Sequence, residues 1–108
     1  MIITIFRARL RDEHREAYMA LAPVMAELAS GMPGYRGHKV FVAEDGERVT
    51  IVEFEDAASQ RAWATQVDHV AARRQGRAAF YAEYSLQVCE LVRGTHFVAP
   101  PPGVSTEV

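Results

Sequence analysis

Cysteine is nearly missing from this chain of 108 residues, and asparagine is missing altogether. The single cysteine, Cys89, cannot form an intramolecular disulfide, which is typical of proteins from a reducing cytoplasm. No spacing of histidines or cysteines matches a metal site, and no glycine-rich loop matches a phosphate or dinucleotide cradle. The sequence therefore predicts neither a metal nor another cofactor.

Long apolar runs and clusters of basic residues are also missing. No run approaches the roughly 20 residues that cross a bilayer, and the first residues lack the charged region and cleavage site of a signal peptide. The 12 basic residues are scattered along a chain of net charge −2. Because phosphate binding needs a concentrated cationic face, we expect no nucleic-acid partner. The missing apolar run and the missing signal peptide, together with the single cysteine, predict no membrane partner and a cytoplasmic location.

Hydrophobic residues make up 49% of the chain, which is enough for the core of one domain. Asp45-Gly46 is a strong signal for a tight hairpin between two strand-like segments. The predicted strands, from the alternation of side chains, are 2–10, 35–43, 48–55 and 83–93.

The first helical pattern lies between the first two strands. Its apolar residues recur every three or four positions, which places them on one stripe of a helix. Asp12 is a plausible N-cap, and Gly31, followed by Pro33 and Gly34, ends the helix.

A second helical region follows the third strand. Asp56 can cap a short helix that carries Trp63, the only tryptophan of the chain. The stretch from His69 to Tyr81 is also predicted to be helical, although Gly76 lowers its helix propensity.

The order of these elements is the βαββαβ arrangement of the ferredoxin-like fold. We predict an α+β domain over residues 1–97, with a four-stranded antiparallel sheet and helices on one face. Residues 98–108, which include Pro100, Pro101 and Pro102, are predicted to form a proline-rich tail.

The sheet face without helices should read polar if water covers it, but it reads mixed to apolar. Burying part of this face, at roughly 25 cal/mol per Å², would stabilise an association. We therefore predict a homodimer in which two sheets pack face to face across a two-fold axis. The apolar residues predicted on this open face are Ile3, Ile5, Val49, Ile51, Cys89 and Leu91.

Trp63 and His69 are the first candidates for chemistry. An indole can stack on a flat aromatic substrate, and an imidazole titrates near neutral pH and can therefore accept the substrate's proton. The alternative for Trp63 is an anchor in the core, and the alternative for His69 is a surface position on a helix.

Four further residues are candidates for contacts with a substrate. Tyr81 and Tyr84 can donate hydrogen bonds to a carbonyl, and Arg77 or Arg7 can stabilise a phenolate or a superoxide-like intermediate. The alternatives are amphipathic packing for the tyrosines and salt bridges for the arginines.

Several motifs occur in a characteristic order along residues 1–97. They are Met32-Pro33-Gly34-Tyr35, Asp45-Gly46, Ile51-Val52-Glu53-Phe54-Glu55, Trp63, and the segment His69 to Tyr84 with Gly76-Arg77 and Phe80-Tyr81. In this order they resemble the antibiotic biosynthesis monooxygenase family, whose members form dimeric α/β barrels. Where relatives often read His-Pro-Glu-His, this chain reads Gln66-Val67-Asp68-His69, so only the second histidine is kept.

The resemblance implies a cofactor-independent monooxygenase for electron-rich aromatics such as phenols, quinols and anthrones. The deprotonated substrate itself reduces dioxygen, while the protein supplies a dry pocket and groups that favour the substrate anion. Haem-degrading proteins of similar fold use an asparagine that this chain lacks, so haem degradation is a weaker interpretation. Two further hypotheses are a non-catalytic dimer that binds a small molecule or serves a stress response, and a purely structural dimer.

Overall fold

The computed structural model describes residues 1–103. A 3-10 turn at Asp12–His14 precedes the first helix, and a π-helical segment at Gly76–Phe80 follows the last. The strands and helices are β1 (Ile2–Leu10), α1 (Arg15–Ser30), β2 (Tyr35–Val42), β3 (Arg48–Phe54), α2 (Ala57–Ala64), α3 (Val67–Gln75) and β4 (Tyr81–Glu90).

The strands form one antiparallel sheet in the order β2-β3-β1-β4. The two strands that are sequential neighbours, β2 and β3, form the predicted hairpin, in which Gly46 has a φ of 89° that favours glycine. The α+β ferredoxin-like fold predicted from the sequence is therefore confirmed.

Several predicted boundaries differ from the structure, among them the end of the fourth strand, at Glu90 rather than 93, and the start of the last helix, at Val67 rather than His69. Asp12 does not cap α1, because the chain first makes the 3-10 turn and the helix begins at Arg15; the carboxylate of Asp12 faces solvent, 3.7 Å from Arg15 Nη2. The fourth strand begins at Tyr81 rather than 83, because Leu10 pairs with Tyr81 and the Arg11 N–H donates to the carbonyl of Phe80 at 2.7 Å. That pairing depends on β1 and has no local signal.

The start of α2 follows the prediction. The Asp56 carboxylate accepts a hydrogen bond from the Ser59 N–H at 2.8 Å, as an N-cap does. Gly34, at a φ of 79°, brings the end of the α1–β2 turn against this first turn of α2, where a Cβ would overlap Ser59 Oγ. The turn and the cap together fix the helix that carries Trp63.

The helices lie on one face of the sheet, which we call the covered face. It holds Thr4 and Ala8 of β1, which are both buried, and their partners on β3, Val52 and Arg48. The opposite, open face has Ile3 and Ile5 beside Cys89 and Ile51, but also Gln87 and Glu53. The open face is therefore mixed in polarity, as its sequence pattern predicts.

The covered face has two ends. At one end, the hydrophobic cluster consists of Ala29, Phe54 and Trp63 with Met25, Leu28, Met32, Tyr35 and Val52 around them. At the other end, the tyrosine cluster consists of Phe6, Tyr18, Phe80, Tyr81 and Tyr84. Phe54 pairs with Ile2 and Tyr84 with Ala8, so the two ends are about 20 Å apart along β1.

The chain after β4 contains neither helix nor strand as far as residue 103. The predicted tail begins in this segment, and its last five positions, 104–108, lie outside the described residues. Within residues 1–103, no helix combines the length and the hydropathy needed to cross a membrane.

Candidate functional site

Trp63 and His69 form a stacked pair at the junction of α2 and α3. Their ring centroids are 4.0 Å apart and their planes differ by 9°. The Gln66 side chain caps α3 by accepting from the His69 N–H at 2.8 Å, and this places the imidazole back over the preceding helix. His69 Nδ1 lies 2.9 Å from the Trp63 carbonyl oxygen.

This contact determines the tautomer of His69. A carbonyl oxygen only accepts hydrogen bonds, so Nδ1 carries the proton and Nε2 keeps its lone pair. Burial lowers the pKa of His69 below its ordinary value of 6.5, the hydrogen bond to Trp63 acts in the opposite direction, and nearby Arg73 lowers the pKa further. The ring is therefore neutral at pH 7, with Nε2 able to accept a proton.

Trp63 is a core residue, with only 8% of its surface exposed. Its indole packs within the hydrophobic cluster, and the imidazole of His69 lies parallel to it. Trp63 therefore anchors α2 to the sheet, which is the core alternative of the sequence analysis, and it also positions His69, whose ring covers one face of the indole.

Tyr81, Tyr84 and Arg77 come together at the other end of the covered face. The Tyr81 and Tyr84 rings meet edge to face at 5.5 Å, and Arg77 Nε donates to the Tyr84 hydroxyl at 2.6 Å. Gly76 makes this possible, because a Cβ there would overlap the ring of Tyr81. Burial raises the pKa of Tyr81, and the neighbouring Tyr18 raises it further, so its hydroxyl remains a hydrogen-bond donor over the physiological pH range.

Arg48, the first residue of β3, lies beside this cluster. Its guanidinium carbon is 5.5 Å from the centroid of the Tyr18 ring, within the range of a cation–π interaction. Its Nε is buried, and no acceptor for that N–H is found among the described residues. Arg48 also acts on the pKa of Tyr81, which it lowers.

The structure therefore divides the predicted site residues into three places. His69 precedes Gly76 by seven residues, so the Trp63–His69 pair lies about 10 Å from the point where Tyr81 packs on the helix. Arg7 lies on the open face and pairs with Glu47, with Nη2 2.8 Å from Oε1. The first two places share the covered face, and Arg7 does not.

An open groove of about 590 Å³ runs between α1 and α3. Leu21, Met25 and Leu28 contribute its apolar lining from α1, and Ala72 does so from α3. Met25 and Leu28 also pack against the hydrophobic cluster, and Ala72 follows His69 by one helical turn. Glu27 and Asp68 also line the groove.

Within residues 1–103, no group of three or more histidine, cysteine, aspartate or glutamate side chains is arranged to hold a metal ion.

A family model described as antibiotic biosynthesis monooxygenase matches residues 1–75. The chain belongs to the antibiotic biosynthesis monooxygenase family. The uncharacterized protein YqjZ of Bacillus subtilis (strain 168) is 26% identical over 84 residues, which are 78% of this chain and 74% of that protein.

Solved structures of similar fold agree with this membership. Rv0793 from Mycobacterium tuberculosis superposes with a TM-score of 0.78 at 18% identity, covering 88% of this chain and 98% of that one. A variant of SnoaB, described as a cofactor-independent oxygenase from Streptomyces nogalater, gives 0.74 at 15% identity, covering 86% and 94%. At these identities the likeness concerns the fold.

The family model matches a segment that contains only some of the candidate site residues of this chain. It includes Trp63 and His69, and it ends before Arg77, Tyr81 and Tyr84.

Sequence reasoning missed Arg48 and Tyr18. A signal for Arg48 was available, since the open face was assigned Val49 and Ile51 and alternation then places Arg48 on the covered face. An arginine on the side of a sheet that faces helices is unusual unless it has a partner there. Tyr18 looked like one more apolar position on the stripe of α1.

Proposed function

We propose that this chain is a cofactor-independent monooxygenase that oxidises a polycyclic phenol, quinol or anthrone with dioxygen. The observation that carries the proposal is the neutral His69 imidazole, whose Nδ1 is engaged by the Trp63 carbonyl so that Nε2 is available as a base. Family membership supports the reaction class, and SnoaB, of similar fold, is described as a cofactor-independent oxygenase.

In this proposal, His69 Nε2 removes the acidic proton of the substrate. The substrate anion then transfers an electron to dioxygen, and the two radicals combine at a ring carbon to give a peroxide anion. The protonated His69 returns its proton to this anion, which gives a hydroperoxide. Loss of water leaves a carbonyl. One oxygen atom enters the product and the other leaves as water, and all the electrons that dioxygen takes come from the substrate.

The two clusters of the covered face have separate roles in this scheme. Trp63 positions His69, while the Tyr81 hydroxyl and the arginines beside it stabilise an oxyanion on the far part of the ring system. The distance of about 10 Å along the helix between His69 and the point where Tyr81 packs favours a polycyclic substrate over a single ring. Arg7, on the open face, is proposed only as a contact from the dimer interface.

The test is oxygen consumption by the metal-stripped protein with a panel of quinols and anthrones. His69→Gln removes the base and keeps a side chain of similar polarity, so we expect turnover to fall by about 100-fold or more. Trp63→Phe should reduce turnover less, because a ring remains beside the imidazole. His14→Gln, in the exposed 3-10 turn, is the matched control and should turn over normally.

Equal rates in the wild type and His69→Gln would show that His69 is not the base. Absence of protein-dependent uptake across the panel would contradict the monooxygenase proposal for those substrate classes.

A second candidate function is a binding module without chemistry. The open groove between α1 and α3 favours it, since its apolar lining suits a small hydrophobic molecule whether or not a reaction follows. This second function predicts saturable binding of aromatic compounds with no oxygen consumption, and a loss of binding in Met25→Glu.

Members of the family are generally dimeric, and we propose that this chain pairs through its open face. Support comes from Ile3, Ile5 and Ile51, which cross-strand pairing places together there, and from the segment after β4, where Phe97 and Val98 are exposed. Ile5→Glu should then give a monomer by light scattering, whereas Val67→Glu, an exposed residue on α3, should not.

A further inference from the structure

The groove between α1 and α3 carries two carboxylates and no basic side chain among its described lining residues. The carboxylates belong to Glu27 of α1 and Asp68 of α3. Within residues 1–103 neither of them forms a salt bridge, and the Asp68 carboxylate accepts only a hydrogen bond from Gln66 Nε2, at 3.3 Å. After Arg15, its first residue, α1 contains no lysine or arginine. The negative charge of the groove is therefore not balanced by the protein around it.

The two helices run antiparallel along the groove. Near the start of α1, Tyr18 packs edge to face against Phe80, which follows the end of α3, with ring centroids 5.9 Å apart. Near the end of α1, Leu28 packs against the hydrophobic cluster that contains Trp63, shortly before the start of α3. The last turn of α1 therefore lies beside the first turn of α3.

This arrangement polarises the groove. Glu27, in the last turn of α1, and Asp68, in the first turn of α3, lie at the same end, which we call the acidic end. Leu21 and Gln75 line the opposite end. Leu28 follows Leu21 by seven residues, so the two ends are about 10 Å apart along α1. The apolar lining between the ends consists of Val24, Met25, Ala71 and Ala72.

Glu27 is placed against the dipole of its own helix. The C-terminal end of a helix carries a partial negative charge, which favours a basic side chain there. The last turn of α1 has no basic residue and contains Glu27 instead. Asp68, by contrast, is favoured by the positive end of α3, so its position has a local explanation. A bound cation at the acidic end would interact favourably with both carboxylates and with the carbonyl end of α1.

A ligand can reach this groove from solvent. Val24 is 51% exposed, and Glu27 and Asp68 are exposed as well. The volume of about 590 Å³ lies within the range of sites for small molecules.

We propose that the groove between α1 and α3 binds a hydrophobic organic cation. Its ammonium group lies at the acidic end, and its apolar body, about 10 Å long, packs between Met25 and Ala72. Charge complementarity selects this ligand, since a neutral compound gains nothing from the carboxylates and an anion is repelled. The phenolate or quinolate of the proposed reaction is such an anion, so the cation is a second ligand. The inference does not rest on the monooxygenase proposal, and it adds a positive charge to the ligand of the binding module.

The test is isothermal titration of the full chain with 2-naphthylmethylammonium, using 2-naphthalenemethanol and methylammonium as comparison probes. The naphthyl ammonium should bind saturably and at least about tenfold more tightly than the alcohol, which has the ring without the charge. Methylammonium, which has the charge without the ring, should bind more weakly than the naphthyl ammonium. Added salt should weaken binding of the naphthyl ammonium and leave that of the alcohol unchanged.

Neutral variants test the acidic end. Glu27→Gln and Asp68→Asn should each weaken binding of the naphthyl ammonium, and together they should weaken it by about tenfold or more without changing the affinity for the alcohol. Glu44→Gln, which neutralises an exposed acid between β2 and β3, is the matched control and should bind as the wild type does. Glu27→Gln should also unfold at a urea midpoint equal to or above that of the wild type, because the conflict with the helix dipole is removed. A purely structural role of Glu27 predicts a lower midpoint.

Absence of saturable binding by the wild type would overturn the proposal, as would equal affinity for the naphthyl ammonium and the alcohol, or full binding by the double variant. Binding that weakens as the protein concentration rises would show that a second copy of the chain occupies the groove, and it would overturn the proposal too. Failure of the proposed function looks different. Binding of the naphthyl ammonium that depends on Glu27 and Asp68, without oxygen consumption for any quinol or anthrone, would sustain this site and reject the monooxygenase. Oxygen consumption without binding of the ammonium would do the reverse.

Discussion

The two ends of the covered face are built from different kinds of side chain, although the same sheet and the same helices enclose them. The hydrophobic cluster is held by aliphatic and aromatic contacts around Phe54, which is fully buried. The tyrosine cluster contains hydroxyl groups, and Arg48 lies beside it with a buried N–H.

Stability is concentrated in the hydrophobic cluster, and polar groups that can act on a ligand are concentrated in the tyrosine cluster. Dispersion and the hydrophobic effect stabilise the first end without needing exact polar partners. The second end carries polar groups whose burial is costly unless a ligand or water satisfies them. His69 combines both properties, because its ring stacks on the core residue Trp63 and its Nε2 can accept a proton.

The largest effect is expected for Phe54→Ala. This side chain has no exposed surface, and removing it should lower the free energy of unfolding by about 3–5 kcal/mol, because a cavity remains in the hydrophobic cluster. Phe41→Ala, in which about half of the side chain is already exposed, is the control and should cost much less. Urea denaturation measures both. If both variants lost a similar amount of unfolding free energy, the hydrophobic cluster would not be the main source of stability.

Gly76→Ala should have the next largest effect and should act at the tyrosine end. The added Cβ would overlap the Tyr81 ring, so we expect a loss of about 1–3 kcal/mol in the free energy of unfolding. In a Tyr81→Ala background the overlap is absent, and the same change should become neutral or stabilising because alanine favours helix. An identical loss in both backgrounds would show that Tyr81 is not the obstacle.

Asp56→Ala should cost about 1 kcal/mol of stability, since it removes the N-cap of the helix that holds Trp63. Asp12→Ala provides a matched comparison, because Asp12 makes no capping bond within the described part of the chain and contacts Arg15 only at the surface. Thermal unfolding of the two variants should show a lower midpoint for Asp56→Ala alone.

The smallest effect concerns the charge of His69. The pKa of His69 is lower in the folded state than in the unfolded chain. As the pH falls below 6.5, the unfolded chain therefore binds more protons than the folded protein does. Stability that is present above pH 6.5 is lost as the pH falls through the folded-state pKa. Because the ring is partly exposed, the slope should stay well below the roughly 1.4 kcal/mol per pH unit of a full proton. Urea midpoints measured between about pH 7.5 and 5.5 should show this slope in the wild type and in His14→Gln, but not in His69→Gln.

Much of the fold could be predicted because its signals are local. Alternation along β1, the Asp45-Gly46 turn and the Asp56 cap each involve residues that are near one another in the chain. Asp12 had the same kind of local signal and failed, because the chain forms a 3-10 turn before the helix begins. The start of β4 was missed for a different reason, since Tyr81 enters the strand through its pairing with Leu10, far away in sequence.

The site could be predicted only in part. The nearness of Trp63 and His69 follows from their short separation in sequence, and so does that of Arg77 and Tyr84. The parallel stack, the hydrogen bond that assigns the His69 tautomer and the contact of Arg48 with Tyr18 depend on how α1, α3 and the sheet meet. Sequence patterns show which face of a strand or helix each residue occupies, but they do not give the distances between residues on different elements.

By itself, the sequence determined the order of the elements, the hairpin, the face of each strand residue and the family. These properties depend on the two-residue period of strands, on turn residues and on motif order, all of which are carried within short segments. Only the tertiary structure decided that Trp63 is a buried support for His69 and that Arg48 joins the tyrosines. Such contacts arise when distant segments pack together, because burial and hydrogen-bond geometry are properties of the assembled core rather than of any single segment.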